Sequence, residues 1–167
     1  MEKITTDFGV YKMPRSGTTL FMNLINEVFT TLNGDNIPNG HDYPKNLNKA
    51  VGVYRDFRDV LASHWRIRNA KYDKDNNITN KIDTKLDELL ETVFKRIETL
   101  EQFQIDYPDC LLIKYEDFCR NPNFIFDELE KFLDVKVSKE LRQNAIEKHS
   151  FTNSKKISDS LGNDFDI

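Results

Sequence analysis

The sequence predicts an α/β fold in which a central parallel sheet is covered by helices on both faces. Three short apolar segments, at about 8–13, 51–55 and 110–114, have the character of buried strands. Amphipathic segments with helical periodicity alternate with them. Alternation of this kind indicates a parallel sheet between two helical layers. Ligands of such sheets bind at the carboxyl ends of the strands, so the residues after each strand are the first candidates for a site.

The first strand leads into a helix through residues 13–19, which read Met-Pro-Arg-Ser-Gly-Thr-Thr. Unpaired N–H groups in the first turn of a helix, together with the positive end of its dipole, attract an anion. Gly17 lets the backbone approach a ligand closely, and Arg15 adds a positive charge. Further hydroxyl donors are Ser16, Thr18 and Thr19. The segment predicts a site for a phosphate or a sulfate ester, although it lacks the Gly-Lys-Ser/Thr ending of the nucleotide-triphosphate loop.

The second strand ends at Arg55, and Asp56 is placed to cap the helix that follows. Ser63 lies eight residues after Arg55, about two turns into this helix. Arg58 is expected to form a structural ion pair. The alternatives to ligand binding are an ordinary surface pairing of Arg55 with Asp56 or Asp59 and a packing role for Ser63.

The third strand is followed by Tyr115 in the run Lys-Tyr-Glu-Asp-Phe. Asn121-Pro122 comes next and predicts another helix, with Asn121 as its N-cap and proline at its first position. Between the second and third strands a long helix with one buried stripe is predicted. The stripe consists of Leu86, Leu89, Leu90, Val93, Phe94, Ile97, Leu100 and Phe103.

These segments, in this order, resemble the motifs of the sulfotransferases that use 3′-phosphoadenosine 5′-phosphosulfate (PAPS). Residues 13–19 resemble the 5′-phosphosulfate loop, and residues 55–63 resemble the 3′-phosphate motif with Phe57 in place of the usual proline. The Tyr-Glu-Asp run resembles the segment whose tyrosine lies near the adenine, and Phe151 lies in a stretch whose aromatic residue packs by the base. The resemblance implies a small, cytosolic-type member with a P-loop-like three-layer fold and a single sulfotransferase-like domain over 1–167. The family's closing Arg-Lys-Gly loop has no counterpart at the C-terminal end of the sequence.

By this resemblance, the chain transfers a sulfuryl group from PAPS to a hydroxyl or amine of a small-molecule or glycan acceptor and leaves adenosine 3′,5′-bisphosphate (PAP). No metal is required, and Arg15 is also catalytic because it stabilises charge on the leaving phosphate. The implied cofactor contacts are Arg15, Ser16, Gly17, Thr18, Thr19, Arg55, Ser63, Tyr115 and Phe151. A core position is the alternative for Tyr115. Two other functions stay open: a small P-loop phosphotransferase that uses ATP and magnesium, and a non-catalytic relic that binds PAP or another nucleotide.

Three side chains are candidates for the base that takes the acceptor's proton. His41 lies in Gly-His-Asp-Tyr-Pro, which resembles the family's Lys-Thr-His-Asp-x-Pro, whose histidine is the base. Histidine is also the residue type most often used for proton transfer near neutral pH. Glu27 on the first helix is the alternative, and His64 beside Ser63 is the third candidate. We expect His41 to be the base.

The composition is that of a globular protein, with 167 residues of which 38% are hydrophobic and 31% are charged. A net charge of −4 argues against a nucleic-acid partner. The sequence has no apolar run of membrane-spanning length and no signal-peptide pattern, so we expect a cytoplasmic protein without a membrane partner. Cys110 and Cys119 fit free thiols in a reducing compartment. No motif identifies the acceptor or the oligomeric state.

Overall fold

The computed structural model describes residues 2–42, 45–74 and 86–149, and for residues 66–74 it describes the backbone alone. Its elements in chain order are β1 (Ile4–Thr5), β2 (Gly9–Lys12), α1 (Thr18–Val28), β3 (Phe29–Thr30), β4 (Asn39–Gly40), β5 (Ala50–Tyr54), α2 (Phe57–Lys74), α3 (Leu86–Asp106), β6 (Leu111–Lys114), α4 (Tyr115–Arg120), α5 (Asn123–Leu133) and α6 (Lys139–Lys148). The three predicted strands correspond to β2, β5 and β6, with ends that agree to within one residue.

The main sheet has four parallel strands in the order β4–β2–β5–β6, and β1 and β3 form a separate parallel pair. Lys12 of β2 lies beside Val53 of β5, and Tyr54 of β5 lies beside Lys114 of β6. The strands therefore end together at one edge. After β2 the chain forms β4 on one side and then β5 on the other, so the strand order reverses at β2. Ligands of open α/β sheets bind at such a reversal.

Helices cover both faces of this sheet. On one face Val10 and Ile113 pack with side chains of α1, α5 and α6. On the other face Tyr11 packs with Val60 of α2 and with Phe103 of α3. Neighbouring residues such as Val10 and Tyr11 enter different cores because side chains of a strand alternate between the two faces. The predicted α/β architecture, a central parallel sheet between helical layers, is confirmed.

The long helix α3 is present as predicted, but its buried stripe is narrower. Leu89, Val93 and Phe103 are buried, whereas Leu86 and Phe94 are 53% and 59% exposed. Successive residues of a helix point about 100° apart, and the packing of α3 buries the side of Val93 and leaves Phe94 at the exposed margin of the stripe. The predicted burial of Leu86 and Phe94 was therefore wrong.

The start of α5 agrees with the predicted capping residue. The Asn121 side-chain oxygen accepts the N–H of Asn123 at 3.1 Å, and the Asn121 carbonyl accepts the N–H of Phe124 at 2.9 Å. The helix begins at Asn123, one residue after the predicted first position at Pro122. Both bonds satisfy N–H groups that the first turn of a helix otherwise leaves unpaired.

Candidate active site

The four strands of the main sheet bring four predicted site elements to one edge. His41 follows β4, the segment 13–17 follows β2, Arg55 follows β5, and Tyr115 follows β6. Since parallel strands point in the same direction, their carboxyl ends meet at this edge. Elements that are far apart in the sequence therefore lie side by side, in the spatial order of the strands.

Residues 13–17 form the turn between β2 and α1. Arg15 and Gly17 both have left-handed backbone angles, with φ of 65° and 66°. A non-glycine residue in this region costs on the order of 1–2 kcal/mol, so the rest of the structure must hold Arg15 there. The Arg15 side chain is exposed at the outer side of the turn. A strained turn that presents a cation to solvent is typical of a ligand-binding loop.

Ser16 anchors this turn to the sheet. The residue is fully buried, and its hydroxyl oxygen lies 2.5 Å from the carbonyl oxygen of Met13 and 3.2 Å from that of Val53. Its backbone N–H donates to the Met13 carbonyl at 3.3 Å. The Ser16 side chain, which we expected to face a ligand, is directed into the protein and holds the turn against β2 and β5.

The helix after the turn begins without a side-chain cap, because its N-cap residue is Gly17. The Phe21 N–H donates to the Gly17 carbonyl at 3.1 Å. The N–H groups of Thr18, Thr19 and Leu20 precede this bond, and such groups have no partner within the helix. The first turn also contains no acidic residue. This end of α1 therefore fits an anion.

Tyr115 packs directly on Gly17. A Cβ atom added at Gly17 would overlap the Cδ2 and Cε2 atoms of the Tyr115 ring and would lie 3.3 Å from Cζ of Phe118. We expected Gly17 to admit a ligand close to the backbone, but the group that makes this close approach is the tyrosine ring. Burial, together with a hydrogen bond to the Cys119 side chain, raises the pKa of Tyr115 to about 12, so the phenol is uncharged at neutral pH.

Arg55 contacts the same ring. Its guanidinium carbon is 4.5 Å from the Tyr115 ring centre, within the range of a cation–π interaction. Arg55 Nε is 3.8 Å from Glu116 Oε1, and Nη2 is 3.7 Å from Asp59 Oδ2. Both distances are too long for hydrogen bonds, and Nε has no hydrogen-bond partner among the described residues. The ring and the two carboxylates therefore hold the guanidinium in place.

Asp56 pairs with Arg58 rather than with Arg55. Its Oδ1 accepts from the Arg58 N–H and from Nε, each at 2.9 Å, and its Oδ2 accepts from Nη2 at 2.7 Å. These hydrogen bonds hold the pKa of Asp56 well below its usual range. The predicted N-cap and the predicted structural role of Arg58 are both confirmed. The predicted alternative for Arg55, a surface pairing with Asp59, coexists with its contact to Tyr115.

His41 lies beside the turn and is hydrogen-bonded to it. Its Nδ1 is 2.6 Å from the carbonyl oxygen of Lys12, the last residue of β2. A carbonyl oxygen can only accept, so Nδ1 carries a proton and the neutral ring has its lone pair on Nε2. The side chain is exposed. An oriented, solvent-accessible imidazole with a basic Nε2 is suited to proton transfer.

Glu27, the alternative base, lies near the C-terminal end of α1, about 13 Å along the helix axis from its start. Its carboxylate accepts from Lys148 Nζ at 2.7 Å and lies 3.2 Å from His149 Nε2. The hydrogen bond from Lys148 holds the pKa of Glu27 below its usual value. A carboxylate with a lowered pKa is a weaker base, so this position does not favour Glu27 for the role.

Ser63 and His64 lie on α2 and are half-buried. Ser63 is about 9 Å along the axis from the first residue of α2, on the helix that begins beside Arg55. Phe151, which we predicted as a cofactor contact, lies outside the described residues. The structure thus brings the turn, His41, Arg55 and Tyr115 to one edge and places Ser63 farther along the adjoining helix.

Two further charged residues lie at the same edge, Lys114 and Glu116, and neither was expected as a site residue. Glu116 Oε1 accepts the N–H of Asp56 at 3.4 Å, and Oε2 lies 3.9 Å from Lys114 Nζ. Both residues belong to the Lys-Tyr-Glu-Asp run, in which only the tyrosine was predicted to contact the cofactor.

An uncapped helix start with an adjacent arginine, at the carboxyl edge of a parallel sheet, is an arrangement of α/β proteins that suits an anion. The family model described as the sulfotransferase domain matches residues 41–161, which is more than half of the chain. The chain therefore belongs to the sulfotransferase family. The matched range contains Arg55, Ser63 and Tyr115 but begins after the turn at 13–17, so the assignment of that turn depends on its geometry.

A crystal structure of mouse sulfotransferase SULT7A1 complexed with PAP is similar to this chain, with a TM-score of 0.61 and 17% sequence identity. The match covers 90% of this chain and 66% of that chain, which is slightly less than two thirds of the relative's length. A likeness at this identity shows the fold, and it confirms the predicted P-loop-like arrangement. A search of curated proteins found no match.

Across residues 2–42, 45–74 and 86–149, no helix combines the length and the apolar character needed to cross a membrane. The same part of the chain contains no group of three or more His, Cys, Asp or Glu side chains suited to holding a metal ion. Cys110 and Cys119 are both free thiols.

Proposed function

We propose that this chain transfers a sulfuryl group from PAPS to a hydroxyl or amine of a small-molecule or glycan acceptor, without a metal ion. The observation that carries this proposal is that the turn at 13–17 and Arg55 both contact the Tyr115 ring, at the carboxyl edge of the sheet. PAPS has two separate anionic ends, a 5′-phosphosulfate and a 3′-phosphate. The turn suits the first, and Arg55, with Ser63 on the adjoining helix, suits the second.

The residues of the turn fit the 5′ end. The amides of Thr18, Thr19 and Leu20 and the exposed Arg15 side chain would bind it and stabilise the negative charge that develops on the leaving phosphate. Bound PAPS supplies an activated sulfuryl group on a phosphate–sulfate anhydride. The Arg15 guanidinium would act there as a fixed positive charge and a hydrogen-bond donor. Ser16 supports this arrangement by anchoring the turn.

His41 is the proposed base. Its Nε2 would take the proton from the acceptor, and the Lys12 carbonyl would orient the ring and stabilise the imidazolium through the Nδ1–H bond. Since Lys12 directly precedes the turn, His41 is close to the proposed 5′ end, where an acceptor must approach. This geometry supports His41 over Glu27, which is paired with Lys148 at the far end of α1.

Tyr115 would contribute its ring to the donor site, because that ring packs on Gly17 of the turn and its centre lies 4.5 Å from the Arg55 guanidinium carbon. Phe151 remains a proposed contact through the family resemblance. We also propose a single domain over 1–167 and a cytoplasmic location without a nucleic-acid or membrane partner. The two free thiols and the net charge of −4 support the location and the absence of a nucleic-acid partner.

Two measurements test the function together. Calorimetric titrations with PAP, AMP and ATP–magnesium should show the tightest binding for PAP. Turnover of labelled PAPS against a panel of phenols, amines, sugars and peptides should label at least one acceptor class. Tightest binding of ATP–magnesium would instead favour a phosphotransferase. Selective PAP binding without turnover on any acceptor class would favour a non-catalytic relic.

A further inference from the structure

Among the described residues, the charged groups that face the Arg55 guanidinium are two carboxylates. The carboxylates of Asp59 and Glu116 lie 3.7 and 3.8 Å from its guanidinium nitrogens. A phosphate monoester carries a charge of about −1.5 to −2 near neutral pH. A single guanidinium that already faces two carboxylates cannot also offset this charge. A 3′-phosphate site at Arg55 therefore requires a second cation.

Lys114 lies where such a cation is needed. It is the last residue of β6 and pairs in register with Tyr54, which directly precedes Arg55. Its Nζ is 3.9 Å from Glu116 Oε2, while Glu116 Oε1 is 3.8 Å from Arg55 Nε. The Glu116 carboxylate thus lies between the two cations and holds both at the carboxyl edge of the sheet.

Glu116 is itself held in place, whereas the two cations keep free donors. Glu116 Oε1 accepts the backbone N–H of Asp56 at 3.4 Å. The 3.9 Å separation between Lys114 and Glu116 is too long for a hydrogen bond. The Lys114 side chain is 38% exposed, so its ammonium can turn toward a ligand and lose only a weak ion pair.

The charge of Lys114 also reaches the start of α2. The pKa of Asp56 is lowered chiefly by its hydrogen bonds to Arg58, and the positive charge of Lys114 lowers it further. Asp56 caps the helix that carries Ser63, the other residue proposed for the 3′-phosphate. The charge of Lys114 therefore reaches Asp56 at the start of this helix.

We propose that Lys114 is a second cationic ligand of the 3′-phosphate beside Arg55, and that Glu116 is the positioning residue that holds the two cations together. Because the ligand is the 3′-phosphate of PAPS, this assignment rests on the proposed function.

Calorimetric titration of a Lys114→Met variant with PAP and with AMP tests the assignment. Methionine keeps the length of the side chain and removes the charge. PAP affinity should fall about five- to tenfold and AMP affinity should stay within about twofold, since AMP lacks the 3′-phosphate and one partly exposed charge contact is lost. A Lys114→Arg variant should keep PAP affinity within about threefold. The difference between wild type and Lys114→Met should narrow at about 1 M salt, where charges are screened.

Lys95→Met is the matched control. Lys95 also pairs with a glutamate, Glu91, at 3.2 Å, but on the exposed surface of α3. This variant should leave both affinities unchanged. A Lys114→Gln variant provides a second uncharged side chain, and thermal unfolding of each variant shows that it is folded.

The outcomes separate two failures. If wild type prefers PAP over AMP and both uncharged Lys114 variants keep that preference, the assignment of Lys114 is wrong while the proposed function stands. Equal losses of affinity for PAP and AMP would also overturn the assignment, because Lys114 would then not contact the 3′-phosphate. If wild type binds AMP as tightly as PAP, the proposed function fails and the role of Lys114 fails with it.

Discussion

Replacing Gly17 by alanine should destabilise the fold by more than the backbone angle at this position explains. At a φ of 66°, an alanine costs about 1–2 kcal/mol. The added Cβ would also overlap two atoms of the Tyr115 ring and lie 3.3 Å from Phe118 Cζ. Forcing a methyl group into such a packed contact costs about 1–3 kcal/mol more. The free energy of unfolding should therefore fall by about 2–5 kcal/mol, which is roughly 4–20 °C in melting temperature for a chain of this size.

Gly34→Ala is the matched control. Gly34 has a φ of 82°, and no heavy atom of the described residues outside its immediate chain neighbours lies within 4 Å of an added Cβ. In this variant the free energy of unfolding should fall only by the cost of the left-handed backbone angle, about 1–2 kcal/mol. Equilibrium unfolding in urea measures both changes. In a Tyr115→Ala background the Gly17→Ala change should cost less, because the overlapping ring is absent. Equal losses for Gly17→Ala and Gly34→Ala would refute the packing of Tyr115 on Gly17.

The same substitution should affect ligand binding through Arg55. Its guanidinium lies 4.5 Å from the centre of the ring that the new methyl group displaces. The folded Gly17→Ala protein should therefore bind PAP at least about tenfold more weakly, the effect of losing one charged contact. Calorimetry below the melting temperature measures this, and unchanged PAP affinity would show that the ring does not position Arg55.

Three further substitutions test the other roles. Arg55→Ala should weaken PAP binding by about ten- to a hundredfold in calorimetry and leave AMP binding nearly unchanged; equal losses would contradict a contact with the 3′-phosphate. His41→Ala should lower turnover of PAPS about a hundred- to ten-thousandfold with PAP affinity retained, and near-normal turnover would exclude His41 as the base. The pKa of Glu27 is lower in the folded state than in the unfolded state. The ionised carboxylate therefore stabilises the fold at a pH above the unfolded-state pKa, and this stabilisation disappears as the pH falls through the folded-state pKa. The Glu27→Gln variant should therefore be less stable than wild type at neutral pH, nearly as stable as wild type in acid, and normal in turnover. Urea unfolding at both pH values measures the two stabilities. A stability difference that does not depend on pH would speak against the pairing of Glu27 with Lys148.

The parts of the site that depend on local chemistry could be predicted from the sequence. The turn at 13–17 is recognisable because glycine, arginine and hydroxyl residues separate an apolar run from an amphipathic one. Asp56 is recognisable as a cap because it directly precedes a helical pattern. These signals involve neighbours in the chain, so the order of residues is enough to identify them.

The directions of individual side chains could not be predicted in the same way. Ser16 was expected to face a ligand, but its hydroxyl lies 3.2 Å from the carbonyl oxygen of Val53 on another strand. Phe94 was expected to be buried, but its direction from the helix leaves it 59% exposed. In both cases the residue type is compatible with either direction, and contacts with distant parts of the chain decide between them.

The sequence by itself determined the alternation of strands and helices, the anion-binding turn after the first predicted strand, and Arg55 at the end of the second. Only the tertiary structure brought Tyr115 into contact with both Gly17 and Arg55, the Lys12 carbonyl against His41, and Glu116 between the charges of Arg55 and Lys114. The physical reason is that a parallel sheet joins the ends of strands that are far apart in the sequence. Contacts across that edge depend on strand order, register and side-chain packing, and local periodicity carries no information about them.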